Sequence, residues 1–233
     1  MEDFNFNTYD SENEDVLRAY QLESKGKYAE AIDAYKKALE KDPELGVVYK
    51  HIGNVHYRLG NLKQAEEYLR IAVEKMPTFP TPLFELGLCL YREAQIKKAI
   101  TCLEKVIQMD MSILIAHYWL GIFYYQYGFP CKARDSFRHV VMENPDFTIA
   151  YYHLGVANLR MGNFEEAVEN FTTLTEVNPD SPTAHSLLAD AYLNLDKKLE
   201  ARQHYKIALD LDPDDKKSKN GLFLASDMTD DVI

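Results

Sequence analysis

The sequence predicts an all-α solenoid of six tandem helix-turn-helix repeats with a C-terminal capping helix. Three series of residues, each with an interval of 34 residues, predict it. Small residues recur where paired helices must pack closely, at Ala31, Ala65, Ala99, Ala133, Ala167 and Ala201, and again at Gly53, Gly87, Gly121, Gly155 and Ala189. Prolines close five of the repeats, at Pro43, Pro77, Pro145, Pro179 and Pro213. A period of this length indicates antiparallel helix pairs, each of which packs only on its neighbours.

The register of these residues sets the expected domain organisation. We expect an acidic tail at 1–11, six repeats within 12–213, a capping helix at 214–226 and a disordered C-terminus at 227–233. The approximate bounds of the repeats are 12–45, 46–79, 80–113, 114–147, 148–181 and 182–213. Place 1 of a repeat is the first residue of its range, and all places below are counted from it.

The fifth repeat illustrates the pattern within one unit. Apolar residues at helical spacing run to Leu159, Gly162 then breaks the first helix, and a second apolar stripe starts at Phe164. Pro179 stops the second helix, since proline lacks a backbone donor. The residues that occupy the turn place of all six repeats are Gly26, Gly60, Ala94, Gly128, Gly162 and Asp196.

Two departures from the pattern carry expectations of their own. Met111 replaces the closing proline of the third repeat, which predicts a smoother turn between helices at that junction. In the capping helix, Asp214 or Asp215 is expected near the N-terminus, and Gly221 is expected to weaken the helix.

The composition restricts the classes of partner. The chain has 37 Asp and Glu against 26 Lys and Arg and a formal charge of −11, which repels phosphate backbones and argues against nucleic acid. No apolar stretch approaches the roughly 20 residues of a membrane helix, so we expect no membrane insertion. The start is acidic, unlike a secretory signal, and three cysteines without a framework spacing suit a reducing compartment. We therefore expect a cytoplasmic protein.

Two repeats carry a family resemblance. The residues concerned are Trp119, Leu120, Gly121, Tyr124, Ala133, Phe137 and Pro145 in the fourth repeat, and Tyr49, Gly53, Tyr57, Ala65, Ala72 and Pro77 in the second. They resemble the tetratricopeptide repeat, and the resemblance extends over about nine-tenths of the chain. It implies a right-handed superhelical solenoid that serves as an adaptor scaffold, with a concave groove lined by the first helices.

Repeats three to five carry an apolar stripe beyond the one needed for the core. It occupies places 5, 9 and 12 and comprises Phe84, Leu88, Tyr91, Tyr118, Ile122, Tyr125, Tyr152, Val156 and Leu159. By the resemblance, these places line the concave groove. The stripe is interpreted either as a ligand-binding surface, which its tyrosines favour, or as surface that neighbouring first helices bury against each other.

Polar residues accompany the stripe: Lys50, Asn54, Tyr57, Arg58, Arg92 and Arg160. Together with the stripe they form the predicted groove. Arginines beside aromatic residues suit a peptide or helix that is both apolar and acidic. The alternative interpretation is that these cations only complement the negative ends of helix dipoles.

Two known modes of peptide binding in this family fit the sequence poorly. The carboxylate clamp needs a Lys and an Asn, which Lys50 and Asn54 supply, but Glu85, Ile115 and Trp119 stand where its other polar residues belong. The asparagine ladder of sugar-transferase arrays, at place 6, is replaced by His51, Glu85, Trp119, His153 and Leu187. We therefore expect recognition by side-chain pockets and stacking.

No catalytic motif, metal-binding spacing or phosphate-binding loop occurs, so we expect no enzyme activity, cofactor or metal. The sequence favours a non-catalytic scaffold that holds a segment of another protein. One alternative is a structural protein that assembles with copies of itself into a homo-oligomer. Another is a chaperone or regulatory subunit of an enzyme or secretion apparatus.

The N-terminal tail supports a further hypothesis. It joins Phe4, Phe6 and Tyr9 to several carboxylates, the two chemistries that the predicted groove suits. Residues 1–11 are therefore interpreted either as a pseudo-ligand of the groove, in the same chain or a neighbour, or as a solvated acidic tail.

Overall fold

The computed structural model describes residues 13–226 and confirms the predicted all-α repeat fold. The predictions for residues 1–11 and 227–233 lie outside the described residues. The part described contains no strand and thirteen helices: α1 (Glu14–Ser24), α2 (Tyr28–Lys41), α3 (Gly46–Arg58), α4 (Leu62–Lys75), α5 (Pro80–Arg92), α6 (Ile96–Met109), α7 (Leu114–Tyr127), α8 (Pro130–Glu143), α9 (Thr148–Met161), α10 (Phe164–Val177), α11 (Pro182–Asn194), α12 (Lys198–Leu211) and α13 (Lys216–Ala225).

The chain forms two compact units, Met1–Ala116 and His117–Ile233, and α7 contains the division. In the first unit, each helix from α1 to α5 packs against the helix that follows it, and α3 also contacts α5. In the second unit, the same sequential packing runs from α8 to α13, and α11 also contacts α13. The odd-numbered helices up to α11 are the first helices of the repeats.

All six turns within the helix pairs contain a residue with positive φ at the same place. Four are glycines, with φ from 74° to 92°, and the others are Ala94 at 59° and Asp196 at 57°. A left-handed conformation costs an L residue with a Cβ roughly 1–2 kcal/mol, whereas glycine adopts it freely. The turns at Ala94 and Asp196 are therefore strained relative to the other four.

We expect Ala94→Gly to stabilise the protein. Removal of the strained Cβ stabilises the folded state by more than the added flexibility of glycine stabilises the unfolded chain. The free energy of unfolding should therefore rise by about 0.5–1 kcal/mol. Denaturant unfolding followed by circular dichroism measures it. The reverse change, Gly128→Ala, should cost about 1 kcal/mol, and a loss of stability in Ala94→Gly would contradict the strain at this turn.

In four of the six turns that follow a second helix, an aspartate or asparagine caps the chain reversal, whereas the turn after the second repeat has Met76 at this place. The side-chain oxygen of the capping residue accepts a hydrogen bond from the backbone N–H two residues later, at 2.9 Å for Asp42, 3.1 Å for Asn144 and 3.1 Å for Asp212. The junction at Met111, expected to be smoother, has the same turn. Asp110 accepts from the Ser112 backbone N–H at 2.9 Å and from its hydroxyl at 2.7 Å. That expectation is wrong, because the carboxylate of Asp110 fixes the turn without proline.

Glycines on the first helices of the second unit allow close contact with aromatic rings. A Cβ at Gly155 would lie 2.4 Å from Cε1 of the buried Phe171. In the capping helix α13, a Cβ at Gly221 would lie 2.2 Å from Cζ of Tyr205. Gly221 was expected to weaken this helix, but it is the residue that lets α13 pack on α12. Asp215 is the N-cap of α13, and its carboxylate accepts from the Lys217 and Ser218 N–H groups.

Candidate functional site

The predicted groove is distributed over four first helices and both units. In the first unit, α3 carries Lys50, Asn54, Tyr57 and Arg58, and α5 carries Phe84, Leu88, Tyr91 and Arg92. In the second unit, α7 carries Tyr118, Ile122 and Tyr125, and α9 carries Tyr152, Val156, Leu159 and Arg160. Each unit thus presents its own half of the predicted groove.

All nine residues of the apolar stripe are partly exposed, and Arg58, Arg92 and Arg160 are exposed. Residues of the same helices on the core side, such as Leu86 and Leu154, have at most 4% of their surface exposed. The stripe therefore differs from the core, yet it also takes part in packing between neighbouring repeats.

In the second unit, the stripe packs against neighbouring helices. The ring of Tyr118 lies 5.3 Å from that of Phe147 and 5.6 Å from that of His153, and burial raises its pKa. Tyr152, Val156 and Leu159 pack against the core formed by residues of α10 and α11, which includes Phe171. In this half, the stripe joins successive repeats while part of each side chain remains open to a ligand.

The arginines of the predicted groove contact the preceding repeat. The guanidinium of Arg92 lies 4.6 Å from the centre of the Tyr57 ring and donates to the Tyr57 carbonyl oxygen at 3.0 Å. Arg160 lies 5.0 Å from the centre of the Tyr125 ring. Each arginine follows its tyrosine by 35 residues, so that place 13 of one repeat covers place 12 of the repeat before. Cation–π contacts of this kind stabilise the junction between repeats.

The third arginine makes the same 35-residue contact with a carboxylate. Arg58 Nη1 lies 3.7 Å from Oε1 of Glu23, which occupies place 12 of the first repeat. From the sequence, these arginines are interpreted either as ligands for an acidic partner or as cations that complement helix dipoles. Neither interpretation includes their contacts with neighbouring repeats. The recurring 35-residue spacing was the signal that could have revealed them.

Glu23 is the centre of a polar cluster that sequence reasoning did not identify. Its Oε2 accepts a hydrogen bond from the Tyr35 hydroxyl at 2.7 Å and lies 3.4 Å from Nδ1 of His51. Burial by itself raises the pKa of Glu23, but the nearby His51 ring, the hydrogen bond from Tyr35 and the charge of Arg58 outweigh it, so the pKa lies below its ordinary value. Burial lowers the pKa of His51.

Glu85 on α5 lies next to this cluster, and its carboxyl group is more deeply buried than that of Glu23. Burial raises the pKa of Glu85 to about 7. This effect of burial is larger than the opposing effects of the Lys50 charge, a hydrogen bond with Asn54 and the Arg58 charge. Oε2 of Glu85 is out of contact with solvent and accepts no hydrogen bond from any residue between 13 and 226. Lys50 is itself only 7% exposed. The residue that argued against a carboxylate clamp is thus a buried carboxyl group with unused hydrogen-bonding capacity.

An open pocket of about 330 Å³ adjoins Glu85 in the first unit. We call it the third-repeat pocket, and its wall comprises Pro80, Thr81, Phe84, Glu85, Leu88, Ile113 and Ile115. Two residues of the predicted groove, Phe84 and Leu88, therefore line a concave site. Apart from the Glu85 carboxyl and the Thr81 hydroxyl, the side chains of the wall are apolar.

Neither a metal site nor a membrane span is found among the described residues. No group of three or more His, Cys, Asp or Glu side chains among them is arranged to hold a metal ion. Within the same residues, every helix is too short or too polar to span a membrane.

Comparison with known sequences identifies the repeats. A tetratricopeptide repeat model matches residues 51–111 and 154–216, more than half of the chain, and a second model, described as a TPR repeat, matches residues 20–60. A comparison of the sequence with curated proteins finds no significant match.

Several solved structures share the fold. YrrB, described as a TPR protein with an unusual peptide-binding site, is 22% identical with a TM-score of 0.75, and the match covers 81% of this chain and 97% of YrrB. MamA is 28% identical with a TM-score of 0.65 and coverage of 68% and 92%. The C-terminal part of a TPR repeat-containing protein from Cytophaga hutchinsonii is 20% identical with a TM-score of 0.76 and coverage of 90% and 84%. On the family match and the repeated helix pairs, the chain belongs to the tetratricopeptide repeat family.

Proposed function

We propose that the protein is a non-catalytic scaffold that binds a segment of another protein along the first helices of its repeats. The observation that carries this proposal is the partly exposed stripe of nine apolar and aromatic residues, adjoined by a pocket in the first unit. Tyrosine and other aromatic side chains supply much of the binding energy in protein interfaces. YrrB, which has the same fold, is described as having a peptide-binding site.

Recognition in this proposal depends on side-chain contacts. A carboxylate clamp is disfavoured because the buried Glu85 stands beside Lys50 and Asn54 and uses their charge and hydrogen-bonding capacity. The arginines remain available at the edge of the groove, since 57% of the Arg58 side chain is exposed despite its contact with Glu23. They would bind carboxylates that flank an apolar segment. We propose a cytoplasmic location because the start of the sequence is unlike a secretory signal and the three cysteines lack a framework spacing.

Self-assembly is the second candidate, and a specific observation favours it. Two large apolar side chains of the capping helix α13 are unusually open, with Phe223 72% and Leu224 64% exposed. A second copy that covered them would remove this apolar surface from water.

A pull-down from native cell extract with matched variants tests the proposed function. We expect two double variants, Phe84→Ser/Leu88→Ser and Ile122→Ser/Tyr125→Ser, to lose the partner captured by the wild type. Truncation of a central interface residue typically costs about 2 kcal/mol or more, or roughly 30-fold in affinity. Tyr118 is left unchanged because its ring packs against Phe147 and His153.

The control is Met142→Ser/Leu199→Ser, which removes two side chains that are 72% and 71% exposed on second helices. This variant should capture the partner as the wild type does. Equal losses in all three variants would contradict binding at the predicted groove. Light scattering over a range of concentrations separates the alternative, because growth in mass without partner, abolished by Phe223→Ser/Leu224→Ser, would support self-assembly.

A further inference from the structure

The third-repeat pocket combines an apolar wall with one buried acceptor that lacks a partner. Oε2 of Glu85 is inaccessible to solvent and accepts a hydrogen bond from none of the described residues. A buried acceptor without a hydrogen bond destabilises the folded protein, and a ligand that supplies the donor recovers part of this free energy. Glu85 belongs to the wall of the pocket, so a ligand there lies beside this side chain.

The size of the pocket suits one side chain. Its volume of about 330 Å³ lies at the lower end of the range for small-molecule sites, about 300–1,000 Å³. Phe84, Leu88, Ile113 and Ile115 provide contacts for a flat ring. An aromatic side chain of a bound segment gains most from such a wall, because its burial removes a large apolar area from water.

The charges around Glu85 favour a neutral donor over a cation. Lys50 and Arg58 lower the pKa of Glu85, whereas Glu23 raises it, so two cations already face two carboxyl groups. A lysine or arginine from a partner would add a third cation to a site with few polar groups. A neutral N–H or O–H donor leaves the balance of charge unchanged.

We propose that this pocket binds a tryptophan side chain from the partner segment, with its indole N–H donating to Glu85. The indole of tryptophan is a hydrogen-bond donor only. A tyrosine hydroxyl also carries acceptor lone pairs, which would need a donor when buried. This inference rests on the proposed function and names the partner side chain that the pocket recognises. Glu85 then sets specificity, and the apolar wall supplies most of the affinity.

Methyl NMR on the full-length protein tests the proposal, because Ile113 and Ile115 both lie in the wall. The probes are indole and benzothiophene, two bicyclic rings of similar shape of which only indole has an N–H donor. We expect both probes to shift the two isoleucine methyl signals, and indole to bind about three- to tenfold more tightly. In Glu85→Leu, which lacks the acceptor, the two affinities should become equal. In Leu88→Ala, both should weaken together and the preference for indole should persist.

Two results would overturn the proposal. Equal affinity of the probes in the wild type means that Glu85 reads no donor, and unchanged Ile113 and Ile115 signals mean that the pocket admits no ring. A third result concerns the occupant: if deletion of residues 1–11 strengthens indole binding, the tail of this chain occupies the pocket in place of a partner.

Selection of random twelve-residue peptides on the wild type separates this inference from the proposed function. We expect enrichment of tryptophan that disappears with Glu85→Leu. Peptides that compete with the native partner but lack tryptophan would overturn the pocket proposal and leave the proposed function intact. Recovery of no competing peptide, together with no partner in the pull-down, would count against both.

Discussion

Gly155→Val is expected to destabilise the second unit by about 3 kcal/mol. A Cβ at this position would lie 2.4, 2.7 and 2.9 Å from three ring carbons of Phe171. Phe171 is completely buried in α10, so its ring cannot swing into solvent. Overpacking of a filled core typically costs about 1–3 kcal/mol, and valine adds two methyl groups to the clash. Thermal unfolding followed by circular dichroism measures the change.

Two further variants show whether the clash causes the loss. Phe171→Leu in the Gly155→Val background should restore part of the stability, because a smaller side chain makes room for the new Cβ. Ala29→Val, at an exposed position of α2, should cost well under 1 kcal/mol, since only helix propensity changes there. A Gly155→Val protein that melts like the wild type would show that α9 and α10 separate at little cost.

The packing at Gly155 was predictable from sequence because it depends on a repeated pattern. A small residue every 34 residues marks the crossing of two helices, and the same register placed Ala94 and Asp196 in the turns, where both have positive φ. Each prediction of this kind draws on several equivalent positions. The fold of a repeat protein can therefore be predicted from one sequence, even though the pattern within a single repeat is weak.

The polar contacts were not predictable in the same way, because each depends on single residues brought together by packing. Glu23, Tyr35 and His51 come from three helices, and the first repeat alone has a carboxylate at the place of Glu23. Glu85 was recognised as a poor ligand for a carboxylate, but its burial follows from the packing of α5 beside α3, which spacing alone does not give. The contacts of Arg92 and Arg160 with tyrosines 35 residues earlier could have been predicted, because the same spacing recurs.

The burial of Glu85 makes the first unit less stable as the pH rises. Its pKa of about 7 in the folded protein lies above its ordinary value of 4.5, so the folded state holds a proton that the unfolded state has lost. The stabilising effect of this proton is complete below about pH 4.5 and disappears as the pH rises through about 7. The difference between the two pKa values corresponds to about 3 kcal/mol.

Comparison of the wild type with Glu85→Gln isolates this effect. Glutamine keeps the shape of the side chain but does not titrate, so between pH 5 and pH 9 the wild type should lose about 3 kcal/mol relative to the variant. The histidines whose pKa burial lowers, such as His51 and His153, produce the opposite trend, but both proteins share it. Guanidinium chloride unfolding at pH 5, 7 and 9 gives the difference directly, and Glu176→Gln, at an exposed site on α10, should follow the wild-type curve. Parallel curves for the wild type and Glu85→Gln would mean that Glu85 is solvated, which would also remove the buried acceptor that the third-repeat pocket is proposed to use.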